Sequence, residues 1–317
     1  MADGQGAVRQ PAAGALGRLV PYGGLGLLAL LWGSSFLFIK LAVVDLGPLA
    51  TVFGRCCVAT AALAAVLAAR RRSPFTRAGR LVPRFVGMAV LNSVIPWLGI
   101  AFGELTVSSG LTSILNATTP LWTAVLAWWL IPDERPHLLN YLGVTIGFGG
   151  TLLLIVPGLL DRGAGATLFG LVAILVAALS YAVASIYQRR WLRDVNPVEA
   201  SFWQMSLTAL MILPLAVPTF PSVHLQWTSV LALFAMGVGA SCIGIVIYYW
   251  LLNTLGAAGA ASVNYLLPVT AVLWGVLILH EAVTVLMIAA AVTVLFGVLL
   301  TGLRRRGRQG IPESEAA

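Results

Sequence analysis

Long apolar stretches follow one another along almost the whole chain, separated by short polar connections. A helix needs roughly 20 apolar residues to cross a bilayer. Ten stretches meet this requirement, and the third and fourth almost touch, as do the eighth and ninth, which predicts tight turns between them. The pattern therefore predicts an all-α polytopic membrane protein with ten transmembrane helices near 23–44, 49–69, 84–105, 108–131, 138–157, 167–188, 198–218, 228–250, 257–279 and 283–303.

The two halves of the chain resemble each other in sequence. At an offset of 148 residues, residues of the first half recur in the second, among them Ser93, Asn116 and Pro120 as Ser241, Asn264 and Pro268. Each half then holds five spans, and because five is odd the second half must enter the membrane the opposite way up. We therefore predict two inverted five-helix repeats, the architecture of many secondary transporters. The predicted parts are a disordered cytoplasmic N-terminus at 1–20, a first repeat at 21–158, a second repeat at 165–303 and a cytoplasmic Arg-rich tail at 304–317.

Composition agrees with a membrane protein. Hydrophobic residues make up 59% of the chain and charged residues 9%, against about 25% charged in a soluble domain. In a soluble protein the net charge of +8 would suggest nucleic acid. Here the arginines form short blocks between apolar stretches, which is the positive-inside pattern. Membrane lipid is therefore an expected partner, and nucleic acid is not.

The distribution of Arg and Lys predicts the orientation. With the N-terminus inside, the inner segments carry 16 of the 19 basic residues, the outer side carries Lys40 and Arg162, and Arg55 lies within a span. This bias predicts a multi-pass protein of the inner (plasma) membrane with both termini in the cytoplasm.

Two asparagines are predicted near the middle of the membrane. Asn116 precedes Pro120 by four residues, and Asn264 precedes Pro268 by four. A proline within a helix leaves the carbonyl four residues earlier without its amide partner, so each copy places a side-chain amide beside a free backbone acceptor. Asn116 is expected about 12 Å below the outer face, and Asn264 about as far from the inner face. These amides either bind substrate or join helices by hydrogen bonds.

Two further polar residues lie inside predicted spans. Asn92 with Pro96 repeats the same spacing on the third span, although Ala240 occupies the equivalent position of the second half. Arg55 is the most deeply embedded charge, and an ionisable residue at such depth indicates function. The alternatives are that Arg55 extends outward to the membrane surface or pairs with Glu104.

The chain resembles the EamA-type permeases of the drug/metabolite transporter superfamily. The resemblance extends over about 23–303 and is carried by five segments in order: LLWGSSFLFIK at 30–40, PLATVFGR at 48–55, SSGLTSILNATTPLW at 108–122, DER at 133–135 and HE at 280–281. Asp133 replaces the glycine usual in that family. The resemblance implies ten helices around a central cavity, with alternating access for small metabolites. It also implies that the first, third, fourth, sixth, eighth and ninth spans line the cavity.

Aromatic residues on those spans are further candidates. Trp32 and Tyr181 lie on the first and sixth spans, where they either stack on a substrate or pack against neighbouring helices. The predicted substrate-binding set is therefore Asn92, Asn116, Asn264, Arg55, Trp32 and Tyr181, with helix kinks at Pro96, Pro120 and Pro268.

No catalytic, metal or cofactor site is predicted. His280 and Glu281 would begin a zinc-binding HExxH motif, but Thr284 replaces its second histidine. Gly143 and Gly147 on the fifth span have the spacing of a helix-packing face rather than of a phosphate-binding loop.

The favoured function is a secondary transporter that exports amino acids or related small metabolites. Arg55, with Lys40 above it, predicts a zwitterionic or anionic substrate. The short multidrug relatives carry a membrane-embedded glutamate on their first helix that is missing from this chain, so their antiport of cationic drugs is not expected. The alternative is a non-transporting membrane protein, such as a sensor or a lipid-modifying enzyme.

Overall fold

The computed structural model describes residues 15–73, 78–130, 138–160, 165–192 and 195–302, and within these ranges it contains helices and no strands. The α-helices are α1 Ala15–Ala69, α2 Ala78–Ala89, α3 Ile95–Gly103, α4 Ser109–Asn116, α5 Thr119–Leu130, α6 Leu138–Leu160, α7 Gly165–Trp191, α8 Pro197–Ala216, α9 Trp227–Phe234, α10 Gly244–Ala261, α11 Val263–Leu279 and α12 Val285–Gly302. The segments Val90–Val94 and Ala235–Ile243 are π-helical.

Some predicted features lie at the edge of, or outside, the described residues. The predicted disordered N-terminus extends too far, because residues 15–20 already belong to α1 and include alanine and leucine, which favour helix. Residues 1–14, the acidic segment at 133–135 and the tail at 304–317 are outside the described ranges.

Seven of the described helices are long and apolar enough to cross a membrane. They are Leu19–Ala69, Leu81–Gly103, Leu138–Val156, Thr167–Trp191, Pro197–Ser222, Trp227–Gly256 and Gly259–Leu279. The chain is therefore a multi-pass membrane protein. The prediction of ten spans is not reproduced by this count.

Two glycines interrupt long helices. Gly47 has φ +71° and divides α1 into 15–46 and 48–69. Gly256 has φ +75° and interrupts α10 near its end. Glycine adopts positive φ without the steric penalty of a Cβ atom, and Pro48 adds a residue that cannot donate a helical hydrogen bond. Both glycines lie at connections between predicted spans.

Small residues allow helices to approach closely. A Cβ atom on Gly143 would lie 2.6 Å from the carbonyl oxygen of Gly297, and one on Gly297 would lie 2.5 Å from Gly147 Cα. The backbones of α6 and α12 therefore touch, which confirms the packing role predicted for Gly143 and Gly147. The α3–α7 contact is similar, because a Cβ atom on Gly103 would lie 3.0 Å from the carbonyl oxygen of Gly170.

The three prolines predicted to kink helices lie in different local structures. Pro96 is near the start of α3, directly after the first π-helical segment. Near Pro120 the helix is broken rather than kinked, because α4 ends at Asn116 and α5 begins at Thr119. The Asn116 carbonyl accepts a 2.7 Å hydrogen bond from the Thr119 hydroxyl, so the backbone acceptor predicted to be free has a partner. Pro268 lies inside continuous α11.

Candidate functional site

A cavity of about 400 Å³ lies among the helices. Its wall is formed by α1, α2, the two π-helical segments, α3, α4, α5, α7, α8, α10 and α11. All six residues predicted to bind substrate line this cavity: Trp32, Arg55, Asn92, Asn116, Tyr181 and Asn264. Pro120 also lines it. The structure thus brings the predicted residues together, and their role in substrate binding stays a prediction.

Arg55 is the charged residue of the cavity wall. Among the described residues that line the cavity, it alone carries a formal charge. Its side chain is buried, with 8% exposed. The guanidinium carbon lies 3.8 Å from the centroid of the Trp97 ring, a cation–π contact. Nε and Nη2 both donate to Ser241 Oγ at 3.2 Å. Tyr181 also lies close enough to interact electrostatically with this charge.

Arg55 keeps hydrogen-bonding capacity after these contacts. A guanidinium has five N–H donors, and Ser241 is its hydrogen-bond partner in the described part of the chain. Of the two alternatives for this residue, outward extension does not fit its burial. Pairing with Glu104 does not occur either, because both carboxyl oxygens of Glu104 lack a hydrogen-bond partner there.

A second buried pair lies at the repeat-related position. Gln204 follows Arg55 by 149 residues, and Ser93 precedes Ser241 by 148. Gln204 Nε2 donates to Ser93 Oγ at 2.7 Å. Each pair thus joins the two halves of the chain: the Arg55 cation contacts Ser241, and the neutral Gln204 amide contacts the equivalent Ser93. The two pairs are alike in position, but only the Arg55 pair carries a charge.

Side chains also donate hydrogen bonds to backbone carbonyls in both π-helical segments. Trp32 Nε1 donates to the carbonyl oxygen of Ala240 at 3.0 Å. Ser180 Oγ donates to the carbonyl oxygen of Leu91 at 2.6 Å. Ser180 follows Trp32 by 148 residues. Trp32 therefore has a structural contact as well as a face in the cavity, where its ring lies 5.4 Å from that of Tyr248.

The asparagines differ in their surroundings. Asn116 is half-buried, and its Oδ1 atom is enclosed without a hydrogen-bond partner among the described residues. Asn264 is exposed, near the start of α11. Asn92 lies in the first π-helical segment. An enclosed carbonyl oxygen without a donor is costly unless a ligand or water supplies one, so Asn116 is the strongest candidate of the three.

A cluster of polar residues lies beyond one end of the cavity, and we call it the polar seal: Lys40, Glu104, Ser109 and Glu281. Lys40, Glu104 and Ser109 each lie one helical turn beyond a residue of the cavity wall, namely Phe36, Ile100 and Ser113. The seal residues are not themselves part of that wall.

Hydrogen bonds hold the polar seal together. Lys40 Nζ donates to the backbone carbonyls of Glu104 and, at 2.9 Å, of Val107. The Glu281 carboxylate accepts from Ser109 N at 2.8 Å, Ser109 Oγ at 3.0 Å and Gly110 N at 3.1 Å. It therefore caps the N-terminus of α4, where the helix dipole favours negative charge. These contacts join α1, α3, α4 and the segment after α11.

Sequence reasoning missed several of these groups. Ser93, Ser241 and Gln204 were not placed in the site, although the repeat matches Ser93 to Ser241. The match identifies equivalent positions but not contacts between the two halves. The polar seal had no sequence signal beyond three charged residues at predicted span ends.

Known proteins resemble this chain over most of its length. The EamA-like transporter family matches twice, at residues 23–156 and 168–303. The uncharacterized transporter YoaV of Bacillus subtilis is 26% identical over 281 residues, covering 87% of this chain and 95% of that protein. The uncharacterized inner membrane transporter YedA of Escherichia coli K12 is 26% identical over 292 residues, covering 90% of this chain and 92% of that protein.

The fold also has a solved counterpart. A protein of known crystal structure is similar to this chain with a TM-score of 0.63 and 19% sequence identity. The match covers 90% of this chain and 96% of that protein, and it supports the fold alone. The two family matches together extend over far more than half of the sequence. The chain belongs to the EamA-like transporter family.

Proposed function

We propose that this transporter exports zwitterionic or anionic small metabolites, amino acids above all, by alternating access around the cavity. The observation that carries the proposal is Arg55, the one formal charge among the described residues of the cavity wall. A substrate carboxylate at the free edge of the guanidinium would form charge-assisted, bidentate hydrogen bonds. Family membership favours transport over the alternative of a sensor or a lipid-modifying enzyme.

The remaining wall suits a small polar ligand. Asn116 supplies an acceptor to which no described residue donates, and Asn92, Asn264 and Tyr181 supply further polar atoms. Trp32 and Tyr248 add aromatic surface. A substrate amine would find the Asn116 oxygen, while a lone cation would find no carboxylate among the described residues of the wall.

We further propose ten spans in two inverted repeats. The apolar part of α1 has 51 residues and as one straight helix would be roughly 75 Å long, more than twice the hydrocarbon thickness. The break at Gly47 supports two spans there. The α4–α5 pair and α12 would supply the remaining spans. The two family matches and the paired contacts Arg55–Ser241 and Gln204–Ser93 support the repeat.

The proposed direction follows from the proposed orientation. With both termini in the cytoplasm of a bacterial inner membrane, the polar seal lies at the outer face. The cavity wall includes Gln188, within one turn of the end of α7 at Trp191, on the cytoplasmic side. This geometry supports loading from the cytoplasm and release outside.

Uptake into proteoliposomes tests the proposal. Purified protein would be reconstituted into vesicles preloaded with unlabelled amino acids, and exchange against external labelled amino acids and organic acids would be followed. We expect accumulation above that of protein-free vesicles and its loss with Arg55→Gln. Correctly folded protein that exchanges none of these compounds would contradict the proposed substrate class.

A further inference from the structure

Glu104 is a buried carboxyl group that receives no hydrogen bond from the part of the chain that the structure describes. Its side chain is 0% exposed, and neither Oε1 nor Oε2 has a partner within the described ranges. An ionised carboxylate in such a place would have lost its hydration without gaining a hydrogen bond, which is energetically costly. A carboxylic acid is much cheaper to bury, because it carries no net charge.

Neighbouring groups do not change this conclusion. Among the described residues, the charged side chains that act on the Glu104 carboxyl are Lys40 of α1, which is attractive, and Glu281, which is repulsive. Lys40 directs its ammonium group to the backbone carbonyls of Glu104 and Val107 rather than to the carboxyl. On the α7 side, the nearest neighbours of Gly103, the residue before Glu104, are Gly170 and Ile174, which are uncharged.

Glu281 accounts for the one negative charge that the polar seal can stabilise. Its carboxylate accepts three hydrogen bonds at the N-terminus of α4, which favours the ionised form. Lys40 then balances Glu281. A second carboxylate at Glu104 would leave the seal with an uncompensated buried charge.

We propose that Glu104 is a proton-binding site and that the polar seal closes only when Glu104 is protonated. On closing, the Glu104 carboxylate takes a proton from the solution beyond the seal and becomes a neutral acid. On opening, water reaches the carboxyl and the proton returns to the same solution. The inference rests on the proposed transport cycle, in which the seal must open to release substrate.

The dependence on pH has a definite sign. Because the closed seal binds one proton more than the open seal, low external pH favours closure and high external pH favours opening. Replacement of Glu104 by glutamine imitates the protonated acid and should hold the seal closed at every pH.

Cysteine labelling tests this without requiring transport. In a background with Cys56→Ala, Cys57→Ala and Cys242→Ala, Ser113→Cys places a thiol in the cavity wall just inside the seal. An impermeant thiol reagent would be applied from outside to intact cells. Val44→Cys, at an exposed position of α1, calibrates the intrinsic pH dependence of the reagent.

We expect the calibrated labelling of Ser113→Cys to rise about tenfold or more between about pH 5.5 and about pH 8.5, since each pH unit above the pKa of a single site changes its protonated fraction tenfold. With Glu104→Gln the labelling should stay slow throughout, and with Glu104→Asp the rise should return. An unchanged rise with Glu104→Gln would overturn the proposal and assign the effect to another group, such as the exposed His280.

Thermal unfolding of the purified protein supplies a second readout. The melting temperature of the wild type should fall with rising pH more steeply than that of Glu104→Gln. The reason is that folded wild type holds a proton on Glu104 that the unfolded chain releases, so rising pH favours unfolding, whereas glutamine does not titrate. Equal slopes would contradict the proton site even if the protein transports amino acids. A lack of transport with the predicted labelling and melting would instead count against the proposed substrate class.

Discussion

Arg55 shows how a membrane protein can keep a buried charge and still offer it to a ligand. Ser241 binds one edge of the guanidinium and Trp97 covers a face. These contacts offset part of the lost hydration and fix the plane of the group, while its other N–H donors have no partner among the described residues. Lysine could not reproduce this arrangement, because its ammonium has neither a planar face nor a forked edge.

The amides give a prediction at the same scale. Asn116→Ala and Asn264→Ala should each abolish or strongly weaken transport while the amount of protein in the membrane stays near that of the wild type. The effect of Asn116→Ala should be larger, because Asn116 has the enclosed acceptor. Uptake into proteoliposomes and quantitative immunoblotting of membranes measure the two quantities.

Two results would count against this role of the amides. If both variants transport like the wild type, the amides have no part in binding. If both fail to accumulate in the membrane, their role is to join helices. Thr60→Ala is a control, since the Thr60 hydroxyl is also enclosed without a partner in the described ranges but is not part of the cavity wall.

Much of the site could be predicted residue by residue, because polar side chains inside apolar helices stand out. Asn92, Asn116, Asn264 and Arg55 were identified in this way. What the sequence did not contain was the contact between halves. Nothing in the local pattern shows that Ser241 faces Arg55 or that Trp97 lies over the guanidinium, since these contacts depend on how distant helices pack.

At the scale of elements, close approach of backbones organises the bundle. The α6–α12 contact depends on Gly143, Gly147 and Gly297, whose positions leave no space for a side chain. Hydropathy predicted a helical membrane protein, and seven of the described helices are long and apolar enough to cross a membrane. Hydropathy did not predict the conformation within spans, because π-helical segments and the break between α4 and α5 arise from tertiary contacts and side-chain hydrogen bonds rather than from apolar periodicity.

Alanine at Gly297 should destabilise the α6–α12 contact. The new Cβ would lie 2.5 Å from the carbonyl oxygen of Gly143, so the helices must move apart, at a cost on the order of 1–3 kcal/mol. Gly149→Ala is the matched control, because a Cβ atom there would meet nothing within 4 Å. Thermal unfolding in detergent should show a lower melting temperature for Gly297→Ala than for Gly149→Ala, and equal values would contradict the assigned packing.

Gly275 leaves space for the polar seal, as Gly297 does for the α6–α12 contact. A Cβ atom on Gly275 would lie 2.5 Å from Glu281 Oε2 and 2.9 Å from Ser109 Oγ. Gly275→Ala should therefore displace the carboxylate from the N-terminus of α4 and loosen the seal. We expect faster labelling of Ser113→Cys from outside, by about tenfold for a loss of roughly 1.4 kcal/mol. Unchanged labelling would show that Glu281 does not help to close this end.

At the scale of the whole molecule, the arrangement of charge predicts the topology. Both termini should be cytoplasmic, and the loop around 163–166 should be outside. Single cysteines Ala15→Cys and Gly165→Cys in a cysteine-free background would be treated with an impermeant thiol reagent on intact cells. We expect labelling of Gly165→Cys and not of Ala15→Cys. The opposite pattern would invert the orientation and place the polar seal at the cytoplasmic face.

The central claim is that the charge of Arg55 selects the substrate. It is tested most directly by competition in proteoliposomes, where amino acids and the cations ethidium and methyl viologen compete against a transported label. We predict that amino acids displace the label and that Arg55→Gln weakens this displacement by about tenfold or more, the cost of one or two charge-assisted hydrogen bonds. Arg84→Gln, at an exposed arginine beside Trp191, should leave the displacement of the label by amino acids unchanged. Stronger competition by the cations, with no effect of Arg55→Gln, would contradict the claim.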